Sequence, residues 1–120
     1  MKIDAFKKRF VNYIYLNQKL AKHTWFGVGG KAEILYIPDR EKSLEKFLKN
    51  KPIDCKLFTI GAGSNLLIRD NGINGITLIT SKLNKIEISK DGIITASCGA
   101  IDAEVARFAR DHNRLSLIHI

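Results

Sequence analysis

Cys55-Lys56-Leu57-Phe58-Thr59-Ile60-Gly61-Ala62-Gly63-Ser64-Asn65-Leu66-Leu67-Ile68 decides the fold, because an apolar run of strand length gives way to small residues and then resumes. Cys55 to Ile60 reads as a strand, since a short apolar run bounded by a turn signal suits a pleated, buried surface. Upstream, Ala32-Glu33-Ile34-Leu35-Tyr36-Ile37 is another such run, closed by Pro38, which has no N–H to give to a ladder. Between the two, Asp39 is placed to cap a helix with Glu41 in its first turn. Leu44, Phe47 and Leu48 supply the apolar stripe over Lys42, Glu45, Lys46 and Lys49. That helix has to stop before Pro52. Strand, helix, strand is a crossover long enough to make the two strands parallel, and they are expected as neighbours.

The glycine loop then stands at the C-terminal end of a strand, where open α/β sheets bind their ligands. It is not a dinucleotide fingerprint of the G-x-G-x-x-G type: position 66 is Leu, and the turn signal Asp70-Asn71-Gly72 leaves no room for the helix whose N-terminus would face a pyrophosphate. It is not a P-loop either, since no Gly-Lys-Ser/Thr follows. What remains is a compact turn whose small residues let successive backbone N–H groups converge on an anion, with Ser64 and Asn65 as side-chain donors. A diphosphate suits that chemistry; an ordinary tight turn is the competing reading.

Working outward, Gly75-Ile76-Thr77-Leu78-Ile79-Thr80 predicts a third strand. Lys85 to Ser89 and Ile93 to Ala96 then predict a hairpin around Lys90-Asp91-Gly92, with Asp-Gly in a primed turn. The change from βαβ to antiparallel patterning marks a boundary near Ser81, and Asp102 to His112 has the periodicity of a final helix. On the N-terminal side, Ala5, Phe6, Phe10, Val11, Ile14 and Tyr15 form a helical stripe over Asp4 to Leu16, and Asn17 to His23 reads as a polar connection. Thr24-Trp25-Phe26-Gly27-Val28-Gly29-Gly30 predicts a turn against which another segment packs closely, with Trp25 and Phe26 anchoring its start. The resulting division is a basic N-terminal extension at 1–19, a first unit at 20–80 and a second at 81–120.

Composition narrows the function classes. Of the formal charge of +8, residues 1–31 alone supply +6, and the remaining 89 residues carry thirteen basic and eleven acidic groups. With no aromatic-studded basic motif in that balanced body, no nucleic-acid partner is expected. No apolar run approaches the roughly 20 residues of a bilayer span, so no membrane association is expected, and the absence of a signal-type N-terminus predicts a cytoplasmic protein. Cys55 and Cys98 read as reduced, buried core residues. His23, His112 and His119 lack ligand spacing, so no metal is expected.

Four motifs in order carry a resemblance: His23 to Ala32, Ile60 to Ile68, Gly75 to Ile79, and Cys98-Gly99-Ala100. Together they resemble the UDP-N-acetylenolpyruvoylglucosamine reductase family, the FAD-containing UDP-N-acetylmuramate dehydrogenases of bacterial peptidoglycan synthesis, over about Leu20 to Ser116. The resemblance implies an α+β fold of the FAD-binding, vanillyl-alcohol oxidase type, with a small βαβ subdomain followed by the start of an antiparallel one. It implies FAD as cofactor, NADPH as reductant, and hydride transfer to the enolpyruvyl group of a UDP-sugar. Carried over by position, the family's pyrophosphate loop falls on Ile60, Gly61, Ala62, Gly63, Ser64, Asn65 and Leu66, and Gly99 and Ala100 match a second, flavin-side position.

After Leu115-Ser116 the sequence departs from the family, reading Leu117-Ile118-His119-Ile120 where Gly-Leu-Glu is expected. The family's serine proton donor, catalytic arginine and glutamate, and substrate domain have no counterpart in these residues, so no catalytic residue is assigned. The expectation is a truncated piece unable to turn over alone, with a complementing C-terminal half as a candidate partner and UDP-sugar bound only by an intact enzyme. The competing expectations are a piece of another flavin oxidoreductase of the same superfamily and a non-catalytic basic binding protein.

Overall fold

Ile73–Ile79 is the strand around which the chain is organised, and its last four residues are all buried. The computed structural model describes residues 2–24, 26–61 and 68–113. In chain order the elements are α1 (Ile3–Arg9), β1 (Ile14–Lys19), a 3₁₀ turn (Ala21–His23), β2 (Lys31–Tyr36), α2 (Glu41–Asn50) and β3 (Leu57–Ile60). They continue with β4 (Ile73–Ile79), β5 (Ile86–Ile88), β6 (Ile94–Ala96) and α3 (Asp102–Asp111). The class is mixed α+β.

The main sheet runs β1-β2-β4-β3, with β1 antiparallel to β2 and the other three strands parallel. The strands flanking α2 are therefore parallel, as expected, but not neighbours: β4 lies between them. The reason is burial. Within β4, Ile76 to Ile79 have neighbours on both sheet faces, whereas Leu57, Phe58 and Thr59 of β3 are all exposed, and the least covered strand takes the edge.

Side chains alternate across the sheet. On one face Ile34, Tyr36, Ile76 and Leu78 meet Phe6, Phe10 and Phe47 from the helical side. The Phe47 ring stacks on Tyr36 with centroids 3.8 Å apart and meets Phe6 and Phe10 edge-on at 4.9 and 5.2 Å. On the other face Leu35, Ile60 and Ile79 gather with Leu20 and Ile68.

Several elements depart from their sequence patterns. The helix predicted over Asp4 to Leu16 ends at Arg9, and Ile14–Lys19 forms β1. Phe6 and Phe10 satisfy the apolar stripe within the first turns and the bend that follows, and Ile14-Tyr15-Leu16, β-branched and aromatic, gains more by pairing with Leu35 and its neighbours. Asp39 does not cap α2: Arg40 holds the N-cap position, with no side-chain cap bond. The β5–β6 hairpin forms as expected, but only Gly92 has positive φ, at 82°, and Gly92 N donates to Ser89 O. Ser89 N also donates to Ile93 O at 2.9 Å, so Lys90-Asp91-Gly92 form a three-residue loop ending in a left-handed glycine and not the expected primed turn. Of the two cysteines expected in the core, Cys98 is exposed, and Cys55 is half-buried at the edge of the cluster around Phe47.

Candidate functional site at the C-terminal strand ends

Parallel strands β2, β3 and β4 all present their C-terminal ends on one side, and the glycine loop departs from β3 there. Ile60 is buried at 2% exposure, and Gly61, immediately after it, is exposed. Among the described residues, a side chain at position 61 would meet no atom within 4 Å. Ala62, Gly63, Ser64, Asn65 and Leu66 lie outside the described residues.

Both ends of the loop are anchored. At its start, Ile60 O accepts from Thr80 N at 3.0 Å, extending the β3–β4 ladder by one bond. At its far end, Ile68 is buried and Gly30 N donates to Arg69 O at 3.0 Å. A Cβ on Gly30 would collide with the Asp70 carbonyl, which explains the glycine cluster: it lets Gly29–Gly30 lie directly on the segment leaving the loop. The close packing expected of this turn is present. Phe26, one of its two expected aromatic anchors, is instead 58% exposed, and Trp25, the other, lies outside the described residues.

Gly99 and Ala100 come to the same side of the sheet. Gly99 is pressed on the Thr80 carbonyl, its N–H donates to Leu83 O at 2.8 Å, and Ala100 N donates to Ser97 O at 2.9 Å. A hollow of about 360 Å³ opens nearby, with Arg40, Lys82 and Lys85 on its wall and Asp39, Glu41 and Ser97 beside them. The Lys85 ammonium is bonded by Glu87, which raises its pKa above the ordinary lysine value. Arg40 and the two lysines are the site features that motif reading misses; no spacing in the sequence flags them, because only the fold brings 40 beside 82 and 85. Thr80, in sequence merely the end of a strand, is the other.

Near the start of the glycine cluster, Thr24 Oγ1 lies 3.3 Å from both Ala21 O and Val28 O and closes that turn. His23 Nε2 is buried with no hydrogen-bond partner among the described residues. Burial, and then the neighbouring Lys22 charge, pull the His23 pKa below its usual range.

A family model described as an FAD binding domain matches residues 32–118. The chain belongs to that family. The matched span runs from the second residue of β2 through α3 and includes the whole glycine loop and Gly99–Ala100. The chain is also 44% identical over 101 residues to the UDP-N-acetylenolpyruvoylglucosamine reductase of Orientia tsutsugamushi (strain Boryong), an alignment covering 81% of this chain and 33% of that protein. To the proteins of the same name from Phenylobacterium zucineum and Caulobacter vibrioides it is 39% and 37% identical, over 78% and 82% of this chain and 31% and 33% of theirs. The chain thus spans about a third of the length of these relatives.

The described residues fit the family's cofactor in chemical kind. A glycine at a strand end with no described neighbour over its Cα suits the close backbone approach that a flavin dinucleotide's diphosphate needs; the nearby hollow is of mixed charge, with Arg40 and Lys82 beside Asp39 and Glu41 and with Lys85 held by Glu87.

Proposed function

We propose that this chain supplies the FAD-diphosphate cradle of a UDP-N-acetylmuramate dehydrogenase, an NADPH-dependent oxidoreductase that reduces UDP-N-acetylglucosamine enolpyruvate in peptidoglycan synthesis. The observation that carries the reading is the 44% identity over 101 residues to a reductase of that kind. The place of Gly61 at the end of β3, with no described residue over its Cα, supports it. In this reading Ile60 to Leu66 hold the diphosphate through backbone N–H groups, and Ser64 and Asn65 add side-chain donors. Gly99 and Ala100 border the flavin side.

Bound FAD would supply a two-electron carrier between NADPH and the enolpyruvyl group. The chain's own residues bind and orient it, and none of them is assigned a catalytic step. The arrangement fits a vanillyl-alcohol oxidase type of FAD-binding fold, with residues 20–80 as its first unit and 81–120 belonging to its second. In this reading the UDP-sugar is bound outside the third of the relatives' length that this chain spans. No helix among the described residues is long and apolar enough to cross a membrane, and we place the activity in the cytoplasm, where nucleotide sugars and NADPH are available.

Titration of the purified chain with FAD and with riboflavin, followed by flavin fluorescence, tests the reading. FAD should bind and riboflavin, lacking the diphosphate, should bind at least tenfold more weakly, since charge-assisted bonds to the diphosphate are each worth about 1.5–3 kcal/mol. Equal affinity for the two ligands, or none for either, would overturn it.

A further inference from the structure

The two stretches that the resemblance links to the cofactor, Ile60–Leu66 and Gly99–Ala100, are distant in sequence, yet one series of backbone hydrogen bonds joins them. Thr80 N donates to Ile60 O at 3.0 Å, and Thr80 Oγ1 lies 3.4 Å from the same oxygen. Leu83 N donates to Thr80 O at 2.9 Å, and Gly99 N donates to Leu83 O at 2.8 Å. Thr80 and Leu83 are 3% and 5% exposed, so water does not compete for these groups and each bond resists displacement.

The two glycines differ in their surroundings. No described residue stands within 4 Å of a Cβ built on Gly61, whereas a Cβ on Gly99 would overlap the Thr80 carbonyl oxygen and crowd Leu83 O at 2.8 Å. At position 99 the space that a side chain or ligand would enter is already filled by the protein's own backbone. A substitution there displaces Thr80 before it can reach anything else, and Thr80 is bonded directly to the residue from which the glycine loop starts.

We propose that Gly99 and Thr80 are positioning residues that fix the origin of the glycine loop, and that Gly99 affects the cofactor's diphosphate through Thr80 and not by touching the flavin. This rests on the FAD reading above. It predicts that the backbone of Ile60 and Gly61 moves when position 99 acquires a side chain, misaligning the donors that follow.

ADP and riboflavin separate the two halves of the cofactor. In calorimetric titrations of the full chain, Gly99→Ala should weaken FAD and ADP by the same factor, about tenfold, the size of one misaligned hydrogen bond to a charged group. A Gly99→Ala chain that loses FAD affinity but holds ADP as tightly as the unsubstituted chain would show direct flavin contact and overturn the proposal, as would unchanged affinity for both. If circular dichroism shows that Gly99→Ala does not fold, the Thr80 pair decides. Thr80→Val removes the hydroxyl at similar volume and should weaken ADP severalfold, and Thr80→Ser should restore it; a Thr80→Val chain that binds ADP normally overturns the proposal. An unsubstituted chain that binds FAD but not ADP overturns it together with the diphosphate assignment, while FAD binding itself stands. One that binds neither removes both.

Discussion

Phe47 is fully buried between three aromatic rings and is the one residue of α2 that the core encloses completely. Truncating it would leave a cavity bounded by rings that the neighbouring elements hold in place. Phe47→Ala should therefore lower unfolding free energy by about 3–5 kcal/mol, read as a shift of the urea midpoint. This residue is legible in the sequence, because its place in the stripe with Leu44 depends only on helical spacing. His23 is not: nothing in its spacing marks a ring whose Nε2 is buried without a partner among the described residues. Its lowered pKa has a sign that can be checked. Above its ordinary value of 6.5 the ring is neutral in both states. As the pH falls below that value the unfolded chain takes up a proton that the folded chain resists, so this contribution to stability is lost until the lower folded pKa is passed. Between about pH 7.5 and pH 5 the urea midpoint of the wild type should fall by more than that of His23→Gln. A gap that stays constant would contradict the assignment.

At the scale of elements, sequence patterning locates β2, α2, β4, the β5–β6 hairpin and α3 to within a few residues, since each has a period of its own. It fails where tertiary pairing outweighs local preference. Ile14, Tyr15 and Leu16 extend the helical stripe of α1 by spacing alone, and only β2 as a pairing partner makes them a strand. The placement of β4 between β2 and β3 is equally invisible, because strand order follows from comparative burial and not from any one segment. The hairpin turn shows a finer limit: Asp-Gly points to a turn, but which residue takes positive φ depends on the register Ile88↔Ile94. With Gly92 at φ 82°, Gly92→Ala should cost about 1 kcal/mol and Gly92→Asn less, measured by urea unfolding. Equal stability of Ala and Gly at this position would contradict the left-handed conformation.

For the whole molecule, the parallel strands bring the start of the glycine loop, Thr80 and the Gly99 turn to one side, and α1 and α2 cover one face of the sheet. The spacing of glycines and small residues is enough to single out the loop as a candidate anion site. It is not enough to find Arg40, Lys82 and Lys85, which converge only because α2 starts, and β4 ends, on the same side of the sheet. The relatives carry about two thirds of their length beyond the aligned region, so the part of the function that this chain can be tested for directly is its hold on the cofactor's diphosphate. The most direct measurement is an amide proton–nitrogen spectrum of the isotope-labelled chain, titrated with ADP. The largest shifts should fall on Gly61, Ala62, Gly63, Ser64 and Asn65, with smaller ones at Thr80 and Gly99. Shifts centred on Gly27–Lys31 instead, or a spectrum that ADP leaves unchanged, would contradict the diphosphate assignment.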